Sequence, residues 1–156
     1  MKKFLIPLTA LLVFVSCKKD SNTNPPASGG NNTITETVNG VTTVHHYASA
    51  INGQSSFTGN YVMNIGSAEN FPNTIELIIS DPDNPIQAKT YTNTSGPIPL
   101  NIVYHEYSSA YNDNTGTVTI TSLTATHVKG TFSGTVTSSA DTKTLTNGSF
   151  DVDITP

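Results

Sequence analysis

The groups best equipped for chemistry in this chain are four histidines, His45, His46, His105 and His127, together with scattered acids and a run of tyrosines. His45 and His46 are adjacent. On a strand, neighbours point to opposite faces, so these two cannot converge on one metal without a bulge, and a zinc site would need His105 or His127 folded onto the same spot. Nucleophilic hydrolysis would need a Ser or Thr activated by a His that a carboxylate holds in place. Hydroxyls are abundant here, but no G-x-S-x-G elbow or comparable frame surrounds any of them, and no residue is assigned a catalytic role. The string Ser80-Asp81-Pro82-Asp83-Asn84-Pro85 offers the oxygens of a calcium loop at Asp81 and Asp83. It lacks the Gly and the distal Glu of an EF-hand, and its two prolines fit a rigid turn between strands. The chain is expected to use no metal and no other cofactor.

Tyr104, His105, Glu106 and Tyr107, followed by Tyr111, form the most suggestive cluster. Tyrosine gives flat contact area with a polar tip, which suits sugar rings, peptides and partner surfaces. If residues 102–107 form a strand, Tyr104 and Glu106 share one face while His105 and Tyr107 share the other, so both faces are partly polar. Tyr104, His105, Tyr107 and Tyr111 are therefore the candidate ligand face, with at least one aromatic exposed. Packing in a core explains the same residues in the opposite way.

The elements that must position these groups read as strands. Val128, Gly130, Phe132, Gly134 and Val136 fall on one face of a period-two stretch, with Lys129, Thr131, Ser133 and Thr135 on the other. Phe150, Val152 and Ile154 alternate in the same way, which places Phe132 and Phe150 in one core. Further strands are expected at residues 41–48, 61–65, 75–79, 88–92, 102–107 and 117–121. Asn52-Gly53, the segment 80–83, Gly96-Pro97 and residues 114–116 supply turn chemistry between them. Residues 33–40 read as tether or as a first edge strand. No stretch shows a helical stripe. The expectation is all-β: a single small antiparallel β-sandwich or flattened barrel of about eight strands over residues 33–156, with tight connections.

The N-terminus reads as an address. Lys2 and Lys3 precede an apolar run from Phe4 to Val15, too short to stay as a membrane span. Phe14-Val15-Ser16-Cys17 resembles a lipobox, which implies a signal peptide over residues 1–16, lipidation of Cys17, and a mature chain held on a membrane by acyl chains such as palmitate. Residues 17–32 carry almost no apolar side chain and read as a flexible tether. Lys18, Lys19 and Asp20 resemble the charged signals that send many Bacteroidota lipoproteins to the outer membrane. The single Cys leaves no internal disulfide. Cleavage would leave five Lys and no Arg against eleven acids, a balance that excludes nucleic acid as a natural partner.

Thr115 to Leu123 (TGTVTITSL), Val128 to Val136 (VKGTFSGTV) and Leu145 to Ile154 (LTNGSFDVDI) are similar to the closing strands of an uncharacterised family of Bacteroidota lipoproteins, which pair a lipobox with an all-β domain. The resemblance implies a fold and no chemistry. The expected function is therefore an envelope lipoprotein acting as a non-catalytic binding or structural module for glycan, peptide or another envelope protein. The alternative is a small envelope hydrolase using His105 or His127 with a nearby acid.

Overall fold

The computed structural model describes residues 32–67, 73–93 and 100–156; the expected signal peptide, Cys17, nearly all of the expected tether and the Gly96-Pro97 turn lie outside the described residues. The described chain is all-β, with no helix. Ten strands follow one another: β1 (Thr33–Val38), β2 (Val41–His45), β3 (Ala48–Gln54), β4 (Tyr61–Ser67), β5 (Asn73–Asp81), β6 (Thr90–Thr92), β7 (Leu100–Glu106), β8 (Ser109–Leu123), β9 (His127–Thr137) and β10 (Thr142–Thr155). All belong to one sheet.

The pairing closes on itself. β10 pairs with β9, β9 with β8, β8 with β7, β7 with β5, β5 with β4 and β4 with β3, every pair antiparallel. The last step is parallel: Ile154 and Thr155 at the end of β10 lie beside Ala50 and Ile51 of β3. The long strands β8 and β10 each carry a second partner on the same edge. β10 takes the β1–β2 hairpin before it reaches β3, and β8 takes the short β6 beyond β7. A sheet rolled in this way has one inner and one outer face, and alternation assigns every side chain to one of them.

Alternation holds most cleanly in β9 and β10. Val128, Gly130, Phe132 and Val136 are buried, as are Phe150 and Val152, and Phe132 and Phe150 share one core. The two rings are placed reciprocally: Phe150 lies opposite Gly130 and Phe132 opposite Gly148. A Cβ on Gly148 would stand 2.5 Å from the carbonyl oxygen of Phe132 and 2.7 Å from its ring, and one on Gly130 would meet the Thr119 carbonyl and stand 2.5 Å from the tip of the Phe150 ring. Each Phe thus covers the backbone that the facing glycine leaves bare, which fills the interior without crowding it.

Four expectations change. The single strand expected over residues 41–48 is divided, because Tyr47 adopts a positive φ of 57° and turns the chain from β2 into β3. Asn52-Gly53 is not a turn but part of β3, opposite Met63 and Val62, and residues 114–116 lie within β8 beside a register shift. Residues 33–38 form β1, flanked by β10 and β2 rather than at an edge. The strands are accordingly longer and more numerous than the turn signals suggested, since Gly and Asn in this chain also serve bulges and close backbone approaches.

Candidate binding site

The outer face of β3, β4, β5 and β7 carries a shallow groove of about 350 Å³, open to solvent. Its side chains come from alternate positions whose neighbours are sealed inside: Ser49 and Ile51 beside Ala48 and Ala50, Asn64 beside Met63 and Ile65, Glu76 beside Ile75 and Leu77, His105 beside Tyr104. Register brings them together. Ser49 lies opposite Gly66, Gly66 opposite Glu76, Ile51 opposite Asn64, and Thr74 opposite His105.

Gly66 gives the groove its depth. The nearest atoms to a Cβ there are Ile75 O at 3.7 Å, and Asn64 Oδ1 and Glu76 Cγ at 3.9 Å, all at ordinary contact distance, so the position has room for a side chain. Beside it, Asn64 Nδ2 donates to Glu76 Oε1 at 2.5 Å. That bond orients both planar groups, and it leaves the amide a second N–H and a carbonyl oxygen and the carboxylate its other oxygen. Among the described residues, no Lys lines the groove. A second hollow, of about 290 Å³, lies around Gly116 and Gly134 and is lined by hydroxyls and Asn93, with no ionisable side chain among the described residues.

Tyr104, His105, Tyr107 and Tyr111 do not lie on one surface, although one of the aromatics, Tyr107, is exposed as expected. Tyr104 and Tyr111 are core residues, 2% and 6% exposed, with ring centres 6.1 Å apart. Tyr107 is 70% exposed with a φ of 54°, in the turn between β7 and β8, and His105 faces the groove. The correction has a physical cause: polar tips can be accommodated inside the rolled sheet. Burial first, and then the charges of Glu106 and Glu36, push the Tyr104 hydroxyl up to about 12, so it stays protonated as a neutral phenol. Lys143 sits over the Tyr111 ring at 4.9 Å with Glu106 Oε2 at 2.8 Å and Asp141 Oδ2 at 3.5 Å. The hydrogen bond to Glu106 holds its ammonium above the ordinary lysine value.

Two further polar groups are sealed in the same interior: Glu36, which the residue pattern left unremarked, and His45, considered above only as a possible metal ligand. Glu36 on β1 is fully buried and His45 on β2 is 1% exposed, with Nε2 of the ring 2.7 Å from Oε1 of the carboxylate. Glu36 Oε2 has no hydrogen-bond partner among the described residues. The signal was in the alternation: Ile34, Glu36 and Val38 occupy one face of β1, so a strand that buries Ile34 carries Glu36 inward as well.

The remaining candidates are structural. His127 is clamped, with Nε2 2.6 Å from Asp151 and Nδ1 2.9 Å from Asp153. The bond to Asp153, then that to Asp151, raises the imidazole above its ordinary value; with both nitrogens occupied it is poorly placed to serve as a general base. Partial burial pushes Asp151 up, but hydrogen bonds from Lys129 and His127 outweigh it and bring the carboxyl below its usual range, while bonds from His127 and Asn32 lower Asp153. Asp81 Oδ1 accepts the backbone N–H of Asp83 and of Asn84, and Oδ2 lies 3.4 Å from Lys89 Nζ. Those backbone bonds lower its pKa, and they make the loop a capped turn whose first oxygen is already used. Among the described residues, no group of three or more His, Cys, Asp or Glu is arranged to hold a metal ion.

No protein-family model, no curated protein and no solved structure matches this chain.

Proposed function

We propose that the chain is a lipid-anchored protein of the outer membrane, attached through Cys17 and displayed on a polar tether, whose domain is a non-catalytic binding module. The address rests on Lys2 and Lys3, the apolar run to Val15 and the Ser16-Cys17 cut. The closed pairing supports a flattened barrel over a sandwich as the description of the domain. One observation carries the binding reading: the outer groove gathers an amide, a carboxylate, an imidazole and hydroxyls around an unfilled glycine. By contrast, the other ionisable clusters, around His127, Lys143 and Glu36, are spent on holding strands together.

Two measurements test this reading. Mass spectrometry of the membrane fraction should find diacylglycerol on Cys17, and an unmodified thiol there overturns the anchor. Diethylpyrocarbonate labels accessible imidazoles. A detergent-solubilised envelope extract should protect His105 from labelling while exposed His46 reacts as before, and equal labelling of His105 with and without extract overturns the groove as a binding site.

A further inference from the structure

We infer that the groove takes an uncharged saccharide, one or two rings held through neighbouring hydroxyls. This rests on the binding reading above and narrows it by four observations.

The first is charge. Among the described residues, Glu76 is the acid that lines the groove, His105 is its imidazole, and no Lys lines it. Phosphates, uronic acids and other anions would meet a carboxylate with no ammonium to offset it. The second is position. β4 and β5 are paired along both edges, while β3 meets β10 at Ala50 and Ile51 and β7 meets β8 from Val103 to Glu106, so beside Ile51 and His105 of the groove the strands already have their neighbours. An extended peptide has no edge to join there, which removes the commonest way a sheet recognises one.

The third is the pattern of donors and acceptors. A hydroxyl both donates and accepts, and two on adjacent carbons need an acceptor and a donor set side by side. Asn64 and Glu76, joined at 2.5 Å, present an amide N–H and free carboxylate and carbonyl oxygens in that way. Ser49, Thr74 and His105 add three more groups that donate or accept. The fourth is size and polarity. At about 350 Å³ the groove is near the lower end of the roughly 300–1,000 Å³ typical of small-molecule sites, and Ile51, 60% exposed, offers an apolar edge for the C–H face of a ring.

The mutual Asn64–Glu76 bond keeps this arrangement ready before the ligand arrives. Glu76→Gln keeps an oxygen to accept from Asn64 but turns the free carboxylate oxygen into an N–H donor, so it should damage recognition while leaving the strand in place. Gly66→Leu should fill the groove outright. Its backbone φ is not in the left-handed region, and the nearest atoms to a Cβ stand at ordinary contact distance.

The test uses the full-length chain in detergent. Calorimetry against neutral hexoses, N-acetylhexosamines and their disaccharides should find a saturable binder. Glu76→Gln should weaken it at least tenfold and Gly66→Leu should abolish it, with the melting temperature of both within a few degrees of the parent. The envelope extract then separates the two levels of the proposal. Periodate, which cleaves vicinal diols, should remove its protection of His105, whereas digestion of the extract with protease should not. If protease removes the protection and periodate leaves it, the groove binds a protein and the saccharide inference falls while the binding reading stands. If untreated extract gives no protection, both fall. Saccharide binding that survives Gly66→Leu, or that is confined to anionic sugars, also overturns the inference.

Discussion

Glu36 and Glu76 are both carboxylates on strands, yet they live on opposite sides of the same sheet. Glu36 faces inward and is fully buried against His45. Glu76 faces outward, half-buried, beside an empty position at Gly66. The inner pair has to be satisfied by whatever the fold encloses, because stranding one partner in a low-dielectric interior is costly. The outer pair is oriented by Asn64 and still has bonding capacity to spare. The same chemical group therefore reads as scaffold on one face and as recognition on the other, and the closure of the sheet decides which.

The contrast breaks most readily from the inside. Phe150→Ala removes the ring that covers Gly130 and should cost about 3–5 kcal/mol, read from denaturant unfolding. A loss below about 1 kcal/mol would mean that the two facing Phe–Gly pairs do not carry the core. Glu36→Ala leaves His45 buried without its carboxylate, and a loss of about 3–5 kcal/mol is expected here too. Gly148→Ala tests crowding rather than vacancy: the added methyl meets the backbone and ring of Phe132, for an expected loss of about 1–3 kcal/mol.

A smaller effect comes from the clamp on the surface. His127 has a raised pKa in the folded chain, so its contribution is fully present below the ordinary value of 6.5 and disappears as pH rises through the folded value. Asp151 and Asp153 are lowered, so theirs is present above 3.8 and disappears as pH falls through their folded values. The clamp is thus complete between those two reference values. Stability measured by thermal melts should decline modestly above that window, and His127→Gln should flatten the alkaline side of the profile. An unchanged slope in that variant would show that another group titrates there.

Much of this architecture was legible in residue order, for a reason visible in β9 and β10. Their inward positions alternate Val, Gly and Phe against Thr, Ser, Lys and Asp, so period two survives inspection. What hid elsewhere were features that depend on partners distant in the chain. Asn147, with a φ of 51°, introduces an extra residue that moves burial from Leu145 to Gly148 and reverses the phase of β10 partway along. The closing contact of Ile154 with Ala50 joins segments more than a hundred residues apart. Glu36, Tyr104 and Lys143 look like outward residues by type, because polar side chains usually are, and only a closed interior explains how they come to be inside. The groove was illegible for a related reason: its groups come from four strands, and its central feature is the side chain that Gly66 does not have.

If the inner carboxylate is structural and the outer one is not, thermal melts of the full chain carrying Glu36→Ala or Glu76→Ala will separate them side by side. Glu36→Ala should lower Tm by roughly 10 °C or more, the shift that several kcal/mol produce in a domain of this size. Glu76→Ala should stay within about 2 °C of the parent, as surface substitutions do. Equal shifts, or a larger loss for Glu76→Ala, would contradict the division of the sheet into a sealed face and an available one.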